Sequence, residues 1–388
     1  MNAKRIGRWP GLAAAAALLI STWGGCGGGD DDSENGLPSC GPLTTPETFL
    51  TALPVHSEDW TVFVNLGHMN PPGHVFPSDH GGFYLANPTV RCDVFSPCEG
   101  TITSVTRLEH LTTGITDYTL GLGTCADFKV VLGHLSDLTP EILAQAGSFD
   151  DSACNTYWAG AEQYRSCARN VHIPVAAGQL IAVAGGNPGQ NGVDFGTYDE
   201  RVTLAFANPS RFTDSQYSHT VSPLDYFTPA LRAELRARCG DGVCGSTVFR
   251  TAEPVGGTAV YDVPGTLQGL WFRVGEPTAP ENPHLAFVFD NTDPSIRVIC
   301  TGVSIPDLGT GMYSFDPAAA GTADREFSQV TADGKIYRYN LLQRCGRASL
   351  EAVLLVEMTS ATTLRVERQP ATAGPPWAFT ANQVAFER

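Results

Sequence analysis

Charge is scarce in this chain of 388 residues: Asp, Glu, Lys and Arg together make up only 16% of it. Past the N-terminus there is no run of Lys or Arg, and 24 basic residues stand against 40 acidic ones for a net charge of -16. Binding to nucleic acid or to an anionic membrane by counterion release needs a basic patch, so neither is an expected partner. Long apolar runs are missing as well. The stretch Leu12 to Ile20 has nine residues, against the roughly 20 that a membrane-spanning helix requires. No G-x-S-x-G elbow, P-loop or dinucleotide fingerprint occurs, and no CxxC pair argues for zinc held by cysteine. What the chain does contain is 42% apolar residues with 41 Gly and 27 Pro, enough to build a core from short strands joined by turns. Its length suits two or three domains.

Lys4, Arg5 and Arg8 precede the apolar run and small residues follow it, the pattern of an export signal over residues 1–25. Trp23, Gly24, Gly25 and Cys26 come next, then Gly27 to Gly29 and Asp30 to Asp32. This segment resembles a bacterial lipoprotein signal, with Trp23 standing where that signal usually has Leu. The resemblance implies that Cys26 carries a lipid anchor after cleavage and that the membrane is reached by that anchor alone. Residues 26–56 then read as an acidic, Gly-rich tether. With Gly27 rather than Asp after the Cys, the outer membrane or cell surface is the expected location.

Ten cysteines remain beyond Cys26, an even set in a chain read as exported. Short spacings suggest Cys92 with Cys98, Cys154 with Cys167, and Cys239 with Cys244. That leaves Cys300 with Cys345 and Cys40 with Cys125, although spacing alone does not fix connectivity.

The fold class expected is mainly β. Between residues 57 and 240 short strands recur at Trp60 to Leu66, Asp93 to Ser96, Thr101 to Arg107, Thr116 to Leu122, Phe128 to Leu132, Gln179 to Ala184 and Val193 to Tyr198. An amphipathic segment, Pro223 to Arg238, predicts a closing helix. From residue 241 the pattern is almost purely alternating, including Thr258 to Val263, and predicts a second antiparallel β barrel or sandwich. Most aromatics there are expected in the core, with Tyr337 and Tyr339 considered as a solvent-facing row able to stack on sugar rings.

Functional signals concentrate in the first domain. In order they are Gly73-His74, Asp79-His80 and Ser96 to Ile102, then Val131 to Ser136 around Gly133-His134, Ala177 to Ala182, Gly192 to Gly196, and Val221 to Tyr226. This order resembles the lysostaphin-type zinc endopeptidases, whose β-rich duplicated hybrid motif carries an HxxxD motif, a G-H-L-S segment and a terminal HxH strand. The resemblance implies a metallopeptidase-like domain over roughly residues 60–228, with His80 as first zinc ligand, Asp194 at the third and His134 as the catalytic histidine. Two positions depart from the pattern. Tyr84 replaces the Asp of HxxxD, and Gly192 replaces the histidine that helps activate water. Read from the residues alone, His74, Asp79, His80, His134 and Asp194 form an adequate nitrogen and oxygen set for Zn²⁺ if they converge. The bland alternative makes His74 and His80 turn residues and Asp194 a loop cap.

The functional expectation is thus an envelope lipoprotein with a degenerate peptidase-like domain that holds a cell-wall glycan, peptide or envelope protein. A metal-dependent hydrolase with a remodelled site is the alternative. Cys26 offers a direct check: wild-type protein expressed in a double-membraned bacterium should partition with membranes, and Cys26→Ala should be released or kept as precursor. Wild type found wholly soluble would contradict the anchor.

Overall fold

The computed structural model describes residues 36–43, 45–149, 154–159, 162–212 and 215–388, without the side chains of Ala159 and Ser215. The signal segment, Cys26 and the first part of the tether lie outside these residues.

The first unit is a large mixed sheet. Its strands are β1 (Trp60–Val64), β2 (Gly81–Leu85), β3 (Cys92–Phe95), β4 (Gly100–His110), β5 (Ile115–Cys125), β6 (Phe128–Leu138), β7 (Cys154–Ala159), β8 (Glu162–Val175), β9 (Leu180–Ala184), β10 (Gly192–Asp199), β11 (Cys239–Val243) and β12 (Ser246–Phe249). The order across the sheet is β12-β11-β1-β2-β10-β6-β5-β4-β8-β7, with β9 pairing both β3 and β6. Alternation decides which side chains meet the core. In β10, Val193 and Phe195 are fully buried, which leaves Asp194 on the opposite face. Trp60, Phe63, Phe83, Phe128, Phe195 and Phe227 fill the interior with the aliphatic residues of β4 to β6. Each such side chain contributes about 2 kcal/mol by burial.

Eight strands make the second unit: β13 (Gly269–Arg273), β14 (Leu285–Phe289), β15 (Arg297–Thr301), β16 (Gly311–Phe315), β17 (Tyr337–Gln343), β18 (Ser349–Met358), β19 (Thr363–Pro370) and β20 (Val384–Glu387). They close into an antiparallel barrel in chain order, and Phe272 opposite Glu387 joins the last strand to the first. Barrel, not sandwich, is therefore the architecture. Tyr337 and Tyr339 are buried inside it beside Phe315 and Phe327, so they form no solvent-facing row.

Several boundaries differ from the sequence reading. The sheet runs past residue 240 to Phe249, because Cys239 and Gly240 pair in parallel with Phe63 and Val64, and β12 folds back on β11. Pro223 to Arg238 is not one helix. A single 3-10 turn, Pro223–Asp225, is followed by a helix at Pro229–Ala237, since Pro229 lacks an N–H and disfavours a helical residue before it. Thr258 to Val263 forms no strand. There the Asp262 carboxylate accepts the backbone N–H groups of Ala207 and Leu270, tying the connection to both units in place of a β partner.

Sheet and barrel share a third apolar cluster, in which Met69, Val75, Phe76, Phe206 and Phe212 pack on Leu270, Phe272, Ala286, Val288, Val298 and Cys300. A disulfide spans the same boundary. Cys244, in the β11–β12 turn, is bonded to Cys345, in the β17–β18 turn. Cys154–Cys167 is joined as its short spacing suggested, and Cys40–Cys125, left over in that reading, is joined too. Three expected pairs are corrected: Cys92 with Cys98, Cys239 with Cys244, and Cys300 with Cys345. Cys92, Cys98, Cys239 and Cys300 are free thiols. Burial explains this, since Cys98 lies within the sheet's core, Cys239 directs its sulfur at the Val255 carbonyl, and Cys300 sits in the interface against the His74 carbonyl. Disulfides belong to oxidising compartments outside the cytoplasm, and no described helix is long and apolar enough to cross a membrane.

The Cys244–Cys345 bridge closes 101 residues of chain, a loop whose closure contributes about 2 to 4 kcal/mol. Cys345→Ser should lower the unfolding free energy by that amount in denaturant titrations. Non-reduced digests should contain the 244–345 cross-link, and recovery of Cys300 joined to Cys345 would contradict this connectivity.

Candidate functional site

Asp194 sits between two glycines. Across the ladder it faces Gly82 on β2 and Gly133 on β6, and a Cβ at Gly133 would stand 3.1 Å from its own. The missing side chains leave room for its carboxylate to be approached from both sides. On β6 the chain bulges: Tyr118 and Leu120 of β5 face Leu135 and Leu132, so one extra residue is fitted into β6. His134 takes up that residue in the left-handed region, at φ 58°, a conformation that costs a non-glycine residue about 1 kcal/mol or more. The bulge turns its imidazole toward Asp194, with Nε2 at 3.2 Å from Oδ2. His80 reaches the same oxygen from the loop before β2, its Nε2 at 3.7 Å.

Each imidazole is held from behind. His80 Nδ1 is 2.8 Å from Asp79 Oδ1, and His134 Nδ1 is 3.1 Å from Asp117 Oδ2. Asp79 also accepts the Tyr198 hydroxyl at 3.2 Å. Asp117, 1% exposed, accepts the Gln190 amide and has His110 Nε2 at 3.5 Å. A chain of alternating acids and bases results: Asp79, His80, Asp194, His134, Asp117. His74 lies at its flank, its ring edge-on to His80 at 5.1 Å, with no hydrogen-bond partner for Nδ1.

Electrostatics follow from this order. Burial works against a proton on His80, but the carboxylates of Asp194 and Asp79 outweigh it and lift its pKa to about 9. Asp194 is the main cause of the same rise, to about 9, at His134, opposed by burial and supported by Asp117. Burial pushes His74 down to about 3, helped by the neighbouring imidazoles of His80 and His68. Burial alone would raise Asp79 and Asp117, yet the histidines bonded to them hold both below the usual carboxylate range. At neutral pH, two imidazolium groups are therefore paired with three aspartates.

The two departures seen in the sequence have structural consequences. Gly192 lies opposite Tyr84 and puts no side chain into the groove. Tyr84 is a hydrogen-bond partner of Asp241 on β11, and burial with that carboxylate keeps its hydroxyl protonated. Asp241 in turn has His68 Nδ1 at 3.0 Å. The sequence reading named His74, Asp79, His80, His134 and Asp194, and the structure gathers all of them. It missed Asp117, His110, Gln190, His68 and Asp241. Only the alternation of β5, which puts Asp117 and Thr119 on one face, hinted at any of these.

No protein-family model, curated protein or solved structure matches the chain. Function must therefore be argued from the groove itself.

The donor chemistry suits a divalent cation. Two imidazoles with Nδ1 fixed by carboxylates present their Nε2 atoms beside a third carboxylate, the composition of a His₂–carboxylate centre with carboxylate–histidine support behind it. In the arrangement described, Asp194 Oδ2 itself lies between the two Nε2 atoms, and among the described residues no group of three or more His, Cys, Asp or Glu is disposed around a point as metal ligands.

The network should be visible in the pH dependence of stability. His80 and His134 hold protons in the fold that the unfolded chain releases near 6.5, so their contribution is full below 6.5 and lost as pH rises through about 9. His74 acts oppositely, stabilising above 6.5 and losing that as pH falls toward about 3. Melting temperature should thus decline between pH 6.5 and 9, and Asp194→Asn should flatten that decline because its carboxylate acts on both imidazoles. Circular-dichroism melts with the same slope in wild type and variant would contradict the assignment.

Proposed function

We propose that the groove is a peptidase-like site that keeps a divalent-cation set, His80, His134 and Asp194, and has lost ready hydrolysis. Its role is to hold a cell-wall peptide or glycan, or an envelope protein, rather than to cut it. The observation that carries this reading is the meeting of two carboxylate-backed imidazoles at the Asp194 carboxylate. The order of motifs around them, similar to that of lysostaphin-type enzymes, supports it.

A bound Zn²⁺ would supply Lewis-acid polarisation of a carbonyl oxygen. The chain's own residues supply less than a working hydrolase needs. Without a cation His134 carries a proton at neutral pH, and as a cation ligand its Nε2 lone pair is taken up, so in neither state is it a free base. Gly192 offers no base at all. The Tyr84 phenol is neutral and engaged with Asp241, so it cannot replace a carboxylate ligand. Loss of a general base typically costs about 10²- to 10⁴-fold in rate. Slow metal-dependent hydrolysis is the second reading, in which His80 and Asp194 hold the ion and His134 stands beside it as acid–base group; the Asp117–His134 hydrogen bond favours it, because a carboxylate-backed imidazole is a usual acid–base catalyst.

Calorimetric titration of chelator-treated protein with Zn²⁺ tests the cation set, and a cell-wall lysis assay separates the two readings. Wild type should bind one ion reversibly, Asp117→Asn should bind about 10- to 100-fold more weakly, and His80→Ala with Asp194→Ala should not bind. Identical isotherms for wild type and the double variant would remove the metal site. Brisk lysis of purified cell walls by wild type would overturn the loss of hydrolysis.

A further inference from the structure

One loop brings the barrel to the groove. Between His68 and Ser78 the chain doubles back as a narrow strap: the His68 carbonyl accepts the Ser78 N–H at 2.9 Å, and Asn70 and His74 exchange two backbone hydrogen bonds of 3.0 Å around Pro71, Pro72 and Gly73. His80 stands just past its end. The tip of the strap carries His74, whose ring meets that of His80 edge-on at 5.1 Å. The first unit holds the exit of the strap, through the Tyr217 hydroxyl on the Pro77 carbonyl and the Thr220 hydroxyl on the Asp79 carbonyl. Its tip and returning limb rest on the barrel.

Glu281, in the loop between β13 and β14, makes the central contact. It is 5% exposed and accepts the backbone N–H of Phe76 at 2.8 Å and that of Val75. Burial pushes its pKa up to about 8 against the pull of these N–H groups, so at neutral pH it is mostly a neutral acid and adds little charge beside Asp79. A buried carboxyl group costs free energy unless hydrogen bonds offset it, and the bonds it makes here are to the strap. His284 gives the Phe76 ring a parallel platform at 5.4 Å, with 2° between planes. That platform is fixed: His284 Nδ1 accepts the Arg273 N–H at 3.1 Å, so the ring carries its proton on Nε2, which donates to the Pro277 carbonyl at 2.9 Å. Phe272 meets Phe76 edge-on at 5.1 Å, and Cys300 Sγ lies 3.9 Å from the His74 carbonyl oxygen.

His134 has a different foundation. A bulge in β6 turns it toward Asp194, and Asp117 on β5 holds its Nδ1, so its supports belong to the first unit. We propose that Glu281 is a positioning residue for the groove, holding the strap from the barrel so that His74 backs His80 and His80 stays aimed at Asp194. The second unit thereby has a part in the site: it supplies no ligand, but it sets one of the two imidazoles. The cation role of that imidazole rests on the function proposed above, whereas its placement by the barrel does not.

Two measurements on the full chain test this. In the absence of metal, the ring Cε1–H resonances of His80 and His134 report each imidazole separately at neutral pH. In Glu281→Leu the His80 resonance should move toward that of an exposed histidine while that of His134 stays, and Phe76→Leu, which weakens the same contact from the strap's side, should act in the same direction. Glu281→Gln keeps an acceptor for the Phe76 N–H and should match wild type. Val356→Ala, in the barrel core away from the strap, should lower the melting temperature and leave both resonances in place. In Zn²⁺ titrations Glu281→Leu should bind about tenfold more weakly, and Glu281→Gln as wild type. An unmoved His80 resonance in both Glu281→Leu and Phe76→Leu, equal movement of His80 and His134, or the same movement in Val356→Ala would overturn the positioning role. Should wild type bind no Zn²⁺, the cation reading falls and the resonances still decide the role of Glu281.

Discussion

One carboxylate shared by two imidazoles organises the groove. Asp194 can serve both only because its lateral neighbours are Gly82 and Gly133 and because a bulge turns His134 out of the regular ladder. The cost is a positive φ at a non-glycine residue and five ionisable side chains in a confined space. The alternation of charge offsets that cost, since every imidazole in the chain has a carboxylate on each side and the terminal carboxylates have further donors in Tyr198 and Gln190. Removing one member would leave its neighbours charged and under-paired in a confined space, the situation in which ion pairs become costly. The network is therefore best understood as a unit, and its parts are not separable contributions.

Local patterns in the sequence carry local structure well. Val193 and Phe195 alternate with Asp194, so the face on which Asp194 lies is readable from three residues. The barrel strands with strict alternation, Leu285 to Phe289 among them, are equally plain. What is not readable is pairing between distant segments. Asp117 is 17 residues from His134 and 73 from Gln190, and the alternation around it gives its face of the strand but not its partners. The cysteines teach the same lesson. A short spacing predicts Cys154–Cys167 correctly because a hairpin places the two residues opposite each other. Cys239 and Cys244 are closer in sequence still, but strand β11 takes Cys239 into the core while its turn offers Cys244 to the barrel.

The order of motifs along the chain does not say which of their residues meet in space. His80, Asp194 and His134 do meet, which a chance scatter of motifs along the chain would not ensure. Convergence is nevertheless a property of a groove, not of a reaction. Two imidazoles that carry protons at neutral pH in the absence of a cation are donors rather than bases toward anything bound beside Asp194.

Tyr84 ties the groove to the rest of the fold. Its phenol is set against Asp241, and Asp241 lies on the strand that leads to the Cys244 turn. His68 shares Asp241, and Arg344 of the barrel lies within electrostatic reach of it while pairing with Asp290 at 2.8 Å. Tyr84 is thus the start of a polar connection into the second unit, alongside the disulfide and the apolar cluster that join the two. Restoring an aspartate at 84 would place a second carboxylate beside Asp241 and Asp194 and remove the phenolic donor between them. A substitution at Tyr84 would therefore act on the contacts between sheet and barrel as well as on the groove.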